Sequence, residues 1–461
     1  MPHKSTESIE VSIWGQPVGV LAFDPGSGVY AFEYYEGFKR LDWELAPLTV
    51  PLSTQGPVSF PHLPVETFFG LPAFIADSLP DAFGNALIDR WMAVQGVRKE
   101  EITPLDRLAY LGKRGMGALE FRPALKTGDA KPAALEMSDL VEAVRRVLSV
   151  ELWRDNDPIW GMPADEDDAA LPSELARLIA VGTSAGGARA KAVVGYSEQA
   201  DAFLSGQFDL PEGYRHWIIK FDVASVDKVG SPHDYGRVEY AYYLMARSCG
   251  IEMAPSRLYE AGGRAHFMTR RFDRVPVKER AVERRVEQGV ERGSGKLHMQ
   301  TLCGMAQMDY KQRGVHDYNQ LFMVLDELGL GYRAVDQMFL RMVFNVCAAN
   351  NDDHTKNHSF LMDSEGVWAL APAYDLTHAY RKDSLWVSRH LMSVNGRFEG
   401  IERADLLSVA RQFQVAAPQR LIEDALTSMR HWPEFAGQAG VSEEATHRIQ
   451  SDIEEFSALV V

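Results

Sequence analysis

The sequence predicts an α+β protein in which a β-rich half precedes a helical half, with a further α/β domain at the N-terminal end. Short apolar runs bounded by turn residues are typical of strands, and they dominate residues 135–274. Longer segments with apolar residues at helical spacing dominate residues 275–461. A chain of 461 residues, 46% hydrophobic and 24% charged, is long enough for two or three cores.

The expected organisation has three domains. Residues 1–125 form an N-terminal domain of strands followed by helices, and residues 126–132 are a plausible linker. Residues 135–274 form a mixed β lobe, and residues 275–461 form a helical lobe. The charged, glycine-containing run 277–296 is predicted to be a mobile connection that carries a substrate or activation segment.

The β lobe contains a glycine-rich segment, residues 182–189, between the apolar run 178–181 and the strand-like run 191–196. Small residues let backbone N–H groups approach phosphate oxygens. A strand-turn-strand setting favours a kinase loop over a Walker loop or a dinucleotide fingerprint, both of which open a helix. The candidate phosphate contacts are Ser184, Ala185, Gly186 and Gly187. An ordinary tight hairpin is the alternative for this segment taken alone.

The next element is the β-branched run 217–222, which carries Lys220 and precedes an amphipathic segment over residues 237–247. In kinases a strand lysine reaches the α- and β-phosphates and is held by a glutamate of the next helix. Lys220 and Glu239 are the candidates for these roles. A solvent-facing lysine and a glutamate that complements the helix dipole are the alternatives.

Two further strand candidates, residues 257–260 and 265–269, run into Arg270, Arg271 and Phe272. The chain becomes helical beyond this point, so a hinge between two lobes is expected here, with backbone groups that bind an adenine edge. Arg271 and Phe272 are therefore candidate nucleotide contacts. Ordinary packing is the alternative for Phe272.

The most informative segment is the polar run 350–357, which lies between an apolar helix candidate and a short apolar hairpin. Phosphoryl transfer to a hydroxyl needs a carboxylate that accepts the proton and hard oxygen ligands for Mg²⁺. Asp352 is the candidate base. Asn357 follows it by five residues and Asp375 by eighteen more, the layout of protein kinases. The sequence thus predicts a bilobal protein-kinase-like fold with a mixed β N-lobe and a helical C-lobe.

Together these segments resemble the HipA family of bacterial serine/threonine kinases, the toxin half of type II toxin-antitoxin pairs. The resemblance is carried by residues 183–191, 218–220, 271–274, 350–357 and 374–376. It extends to residues 15–19 and 74–81, so it covers most of the chain.

The resemblance implies ATP and Mg²⁺ as cofactors, with Asp352 as catalytic base, Asn357 and Asp375 on the metal, and Lys220 on the phosphates. It makes His354 a weaker catalytic candidate, in contact with the γ-phosphate. Asp353 is a further option for the metal or for a supporting role.

The resemblance also implies regulation and partners. Ser184 matches a serine that such kinases autophosphorylate, and Thr183 is the alternative acceptor. The implied substrate is a protein, with translation factors such as aminoacyl-tRNA synthetases as the family expectation. The implied partner is a small helix-turn-helix antitoxin of HipB type. Arg270 stands where some relatives carry an acidic hinge residue, which leaves recognition of the base open.

Charge and composition limit the other function classes. With 48 basic and 64 acidic residues the formal net charge is −16, which disfavours extensive direct contact with DNA. DNA is expected to be reached only through the antitoxin. We expect a cytoplasmic protein without membrane contact, since no apolar stretch is long enough to span a bilayer. Three cysteines without a C-x-x-C pair favour reduced thiols over a zinc site.

The predicted function is that of an ATP-dependent protein serine/threonine kinase of HipA type. A nucleotide-binding corepressor scaffold with a vestigial centre and a small-molecule, antibiotic-type phosphotransferase are the two alternatives.

Overall fold

A computed structural model describes residues 5–125, 134–149, 190–207, 209–222, 234–275 and 295–461. The chain forms two compact units, each assembled from separate stretches of sequence. The first unit comprises Met1–Phe23, Ser78–Gly236 and Arg257–Gly295, and the second comprises Asp24–Asp77, Arg237–Ser256 and Lys296–Val461. These units do not follow the predicted limits at 125, 135 and 274, and those domain limits stay predictions.

The first unit begins with antiparallel strands, in which Ser8–Ile13 pairs with both Gln16–Asp24 and Leu119–Arg122. Two helices, Ala82–Val94 and Pro104–Leu111, precede the strand Leu119–Arg122 in the chain. Asp81 caps the first helix by accepting from the Gly84 N–H, and Thr103 caps the second in a capping box with Asp106. Such caps satisfy N–H groups that a helix leaves unpaired, so they fix where each helix begins.

The second sheet of this unit has six strands. Their order is Ala134–Leu135, Ala202–Ser205, Lys191–Ser197, Arg215–Lys220, Arg264–Arg270 and Ser256–Ala261. The helix Met137–Ser149 contributes Leu140, Val141 and Val144 to the core under this sheet. The helix Ala82–Val94 contributes to the same core. The N-terminal helices and the six-stranded sheet therefore share one hydrophobic core.

The second unit is mainly helical. Its small sheets are an antiparallel one of His298–Thr301, Ser359–Met362 and Trp368–Leu370, and a parallel pair of His316–Asp317 with Met392–Ser393. Its longer helices are Tyr235–Ser248, which begins in the first unit, Tyr318–Glu327, Gly331–Cys347, Arg403–Gln412, Pro418–Arg430, Trp432–Ala439 and Glu443–Ala458. The shorter elements of this unit are the strand Val29–Tyr34 and the helices Glu36–Lys39, Val65–Phe68, Ala73–Ala76 and Leu302–Ala306.

The predicted elements around the candidate site are confirmed with small shifts of their ends. The helix candidate 334–349 is Gly331–Cys347, and the hairpin after it is Ser359–Met362 with Trp368–Leu370. The strand that carries Lys220 is Arg215–Lys220. Within the part of the chain that the structure describes, no helix has both the length and the apolar character needed to cross a membrane.

Candidate active site

The polar run 350–357 leaves the helix Gly331–Cys347 through a tight turn and is fastened to neighbouring backbone. Ala349 adopts a left-handed conformation with φ of 52°, and the Asn350 N–H donates to the Asn345 carbonyl at 3.0 Å. The Asn351 N–H donates to the Ala379 carbonyl at 3.2 Å. A non-glycine residue at positive φ is strained, and it persists only where surrounding contacts hold it. The loop is thus a fixed feature of this unit.

Asp353 is a buried structural carboxylate. Its side chain has 0% exposure and accepts hydrogen bonds from the Tyr318 hydroxyl at 3.0 Å and from His390 Nδ1 at 3.0 Å. Its other oxygen accepts from the backbone N–H groups of Leu391 at 2.8 Å and Met392 at 3.3 Å. Four hydrogen bonds thus occupy both oxygens of this buried carboxylate. Of the two roles left open for Asp353, the geometry favours support of the loop over metal binding.

Asp352 points the other way, toward solvent. Its side chain is 38% exposed, and its Oδ1 accepts from Trp386 Nε1 at 2.7 Å. His354 Nε2 lies 3.8 Å from the same oxygen, while the buried Nδ1 of His354 has no partner among the described residues. One carboxylate oxygen of Asp352 is therefore oriented by the indole. An exposed, oriented carboxylate is what a base that accepts a hydroxyl proton requires.

Asn357 and Asp375 line one small cavity, together with Tyr374 and Leu376. The Asn357 amide nitrogen donates to the Asp352 carbonyl at 2.7 Å, which leaves the amide oxygen as the atom available to a cation. Asp375 has a φ of 53°, so its backbone is held in the strained left-handed region. One carboxylate and one amide oxygen fit Mg²⁺, which takes few protein ligands and completes its shell with water and phosphate oxygens.

No cluster of three or more acidic, histidine or cysteine side chains suited to a metal occurs among the described residues. Burial lowers the pKa of His358 to about 4, with the Asp353 carboxylate acting in the opposite direction. At neutral pH His358 is therefore uncharged, and it adds no positive charge to the cavity that it lines together with Asp375.

Lys220 lies in the first unit, at the end of the strand Arg215–Lys220. Its partner on the adjacent strand is Lys191, and its ammonium lies 5.8 Å from the centre of the Phe267 ring. Opposed residues of paired strands project from the same face of a sheet, where two like charges repel. Lys191 is offset by Asp81, since its Nζ lies 3.1 Å from Asp81 Oδ2 in a pair whose side chains are 2% and 5% exposed.

Glu239 is 2% exposed in the helix Tyr235–Ser248, whereas Lys220 belongs to the first unit. The proposed ion pair between these two residues stays a prediction. The glycine-rich candidates Ser184, Ala185, Gly186 and Gly187, and the alternative acceptor Thr183, lie outside the described residues.

Arg271 has a structural task that the sequence did not reveal. Its guanidinium is 1% exposed and binds both oxygens of Asp273, at 2.9 Å from Nε and 2.7 Å from Nη2. Arg274 binds the same carboxylate at 2.7 Å, and both arginines donate to the Gly115 carbonyl. The Arg271 N–H donates to the His216 carbonyl at 2.9 Å. The Arg271 guanidinium is buried and bound to protein groups, and the nucleotide contacts of Arg271 and Phe272 stay predictions.

Sequence reasoning missed the roles of several residues: Trp386, His390, Tyr318 and Arg341 in the second unit, and Asp81 in the first. Trp386 and His390 lie in a segment without regular secondary structure, 34 and 37 residues beyond their aspartate partners. Asp81 did stand in a segment that carried the family resemblance, residues 74–81. A search for polar residues in such segments without an assigned role would have found it.

Comparison with known proteins gives matches along most of the chain. Residues 183–458 match the HipA-like C-terminal domain, and residues 9–122 match the HipA N-terminal domain. The serine/threonine-protein kinase toxin HipA of Shewanella oneidensis is 24% identical over 386 residues, which cover 82% of this chain and 76% of that protein.

A solved toxin-antitoxin complex of HipA, HipB and operator DNA from Shewanella oneidensis MR-1 aligns with a TM-score of 0.63 at 17% identity. The alignment covers 98% of this chain and 98% of that one. It shows a shared fold, and it confirms the predicted α+β, kinase-like class with an additional N-terminal domain.

Proposed function

Because the chain belongs to the HipA family, we propose that it is an ATP-dependent protein serine/threonine kinase that acts as the toxin of a toxin-antitoxin pair. The observation that carries the proposal is the contrast between two adjacent aspartates. Asp353 is buried, and protein groups occupy its carboxylate. It supports the loop that presents Asp352, exposed to solvent, beside Asn357. Catalysis by kinases consists mainly of positioning and electrostatic stabilisation, and a rigid loop that presents one exposed, oriented carboxylate meets that requirement.

In the proposed reaction Asp352 orients the acceptor hydroxyl and takes its proton while that oxygen bonds to the γ-phosphorus of ATP. The bond between the γ-phosphorus and the β-γ bridging oxygen breaks, and ADP leaves. Trp386 keeps the Asp352 carboxylate aimed by donating to one of its oxygens. Asn357 and Asp375 would hold Mg²⁺, which would supply positive charge to offset that of the phosphates. Lys220 binds the α- and β-phosphates. His354, 3.8 Å from Asp352, contributes a polar contact to the γ-phosphate.

The toxin assignment is supported by the relative named a serine/threonine-protein kinase toxin and by the complex of HipA, HipB and operator DNA. The proposed partner is a helix-turn-helix antitoxin, and DNA is reached through it because this chain has a net charge of −16. The proposed substrate is a protein of the translation machinery, such as an aminoacyl-tRNA synthetase. Such a substrate implies a cytoplasmic site of action.

Regulation through Ser184 is part of the proposal. A phosphate on that serine adds about −1.5 to −2 charges at neutral pH beside the nucleotide phosphates, so ATP affinity should fall. Intact-mass and peptide mapping after incubation with Mg·ATP should find one major site at Ser184, and calorimetry should find weak ATP binding by that species. Equal ATP affinity of the two forms would refute the switch.

The test of the kinase proposal is transfer of radiolabelled γ-phosphate to serine or threonine, in the chain itself or in added translation factors. Label that depends on Mg²⁺ and is lost in Asp375→Ala supports a kinase. Nucleotide binding without any transfer would favour the corepressor scaffold. Transfer to aminoglycosides with no labelled protein would favour the small-molecule phosphotransferase.

A further inference from the structure

Arg341 is a buried guanidinium without a hydrogen bond or ion pair among the described residues. It lies in the helix Gly331–Cys347 with 4% exposure, and its Nε has no partner. Burial lowers its pKa to about 10, and Glu252 acts in the opposite direction. Glu252, however, is surface exposed and already paired with Arg333. A buried charge without a partner lowers the free energy of unfolding, and such a destabilising residue is expected to serve a function.

The cavity that Arg341 lines is the one that contains the predicted metal ligands. Asn357 and Asp375 line it as well, as does Asn350, whose buried Oδ1 has no partner among the described residues. The guanidinium of Arg341 therefore lies at the wall of the same small cavity as the predicted ligands, at a buried position where its charge is poorly screened.

We propose that Arg341 is a positioning residue whose fixed positive charge opposes cation binding at the metal site. It lines the same cavity as Asn357 and Asp375, and it repels an incoming divalent cation. This inference rests on the proposed function, since it takes Asn357 and Asp375 as the metal ligands. Two cationic groups around one carboxylate weaken each other's binding, because the interior screens their repulsion less than water does.

Arg341 thus sets the affinity for Mg²⁺ below what the ligands alone would give. A loosely held Mg²⁺ can arrive and leave with its nucleotide, which favours turnover over permanent occupancy. The same charge costs the protein stability, because it is desolvated without a partner. Stability and metal affinity should therefore both rise when the charge is removed.

The test compares Arg341→Met, which keeps the length of the side chain and removes its charge, with Arg341→Lys, which keeps the charge. Mn²⁺ binding to the nucleotide-free protein is followed by electron paramagnetic resonance. Mg²⁺ is then titrated into a complex with a fluorescent ATP analogue. We expect the dissociation constant of either cation to fall at least threefold in Arg341→Met and to stay within twofold in Arg341→Lys.

Urea unfolding of the metal-free variants separates this role from a structural one. Arg341→Met should be at least as stable as the wild type, because a buried charge without a partner is replaced by an apolar chain. The matched control is Arg107→Met, since Arg107 is buried but pairs with Asp89 at 2.6 Å. That control should lose stability and leave cation affinity unchanged.

If the cation affinity of Arg341→Met is unchanged within twofold, or is weaker, the proposal that Arg341 opposes cation binding is overturned. Loss of stability in Arg341→Met comparable to that of Arg107→Met overturns it as well, and this arm needs no metal. Failure of the wild type to bind Mn²⁺, or Mg²⁺ with the ATP analogue, would instead refute the proposed metal site. The two failures are therefore distinguishable.

Discussion

Substitution of Asp353 should destabilise the protein far more than the same substitution of its neighbour Asp352. The carboxylate of Asp353 is fully buried and accepts four hydrogen bonds. Asp353→Ala leaves one hydroxyl, one imidazole N–H and two backbone N–H groups without an acceptor. Each hydrogen bond to a charged group contributes about 1.5–3 kcal/mol, but such contributions within one network do not add. Breaking a buried charged network typically costs about 3–5 kcal/mol, and we expect that loss.

Asp353→Asn is the milder change. Its amide oxygen can still accept from the backbone N–H groups of Leu391 and Met392, whereas its amide nitrogen faces Tyr318 and His390. About half of the network survives, so the expected cost is about 1–3 kcal/mol. Asp352→Asn should cost less than about 1 kcal/mol, because the side chain is 38% exposed and an amide oxygen still accepts from Trp386.

Urea unfolding followed by tryptophan fluorescence gives the free energy of unfolding of the three variants relative to the wild type. The expected order of destabilisation is Asp353→Ala, then Asp353→Asn, then Asp352→Asn. Equal stability of the wild type and Asp353→Ala would refute the view that this carboxylate holds the loop. A large loss in Asp352→Asn would show that its carboxylate is structural too.

Two further predictions concern buried titratable groups elsewhere. Burial lowers the pKa of His298 to about 3. Below about pH 6.5 the unfolded chain therefore binds a proton that the folded protein does not, and the free energy of unfolding decreases as the pH is lowered. Between pH 7.5 and pH 5 the wild type should lose about 2 kcal/mol of its free energy of unfolding, and urea unfolding should show a correspondingly smaller loss in His298→Gln. An equal loss in the two proteins would contradict the role of His298. Burial alone raises the pKa of Asp273, but Arg271 and Arg274 outweigh it and hold that pKa well below its usual range. Asp273→Asn removes the carboxylate that both guanidinium groups bind and should cost about 3–5 kcal/mol in urea unfolding at neutral pH. A loss below about 1 kcal/mol would show that the network is dispensable.

Local patterns in the sequence predicted much of the candidate site. The spacing of Asp352, Asn357 and Asp375 and the apolar hairpin between them are features of short range, and one unit of the structure holds all three residues. The strand that carries Lys220 could be predicted because β-branched residues surround that lysine.

Partners far apart in sequence could not be predicted. Asp353 accepts hydrogen bonds from Tyr318 and His390, which lie 35 and 37 residues away in the sequence. No periodicity of the sequence predicts which distant residue a buried polar side chain will bind. Arg341 gave no signal either, because an arginine in an amphipathic helix is usually solvated. Only the packing of the helix Gly331–Cys347 shows that its guanidinium is buried.

The central claim is that Asp352 acts as the base while its neighbour only supports the loop. The most direct measurement compares label transfer from Mg·[γ-³²P]ATP with calorimetric ATP binding in purified wild-type and Asp352→Asn protein. We expect Asp352→Asn to lose at least about 99% of transfer, in line with the roughly 10²–10⁴-fold contribution of general base catalysis, and to bind ATP within about threefold of the wild type. Near-normal transfer by Asp352→Asn would contradict the assignment of this residue as the base.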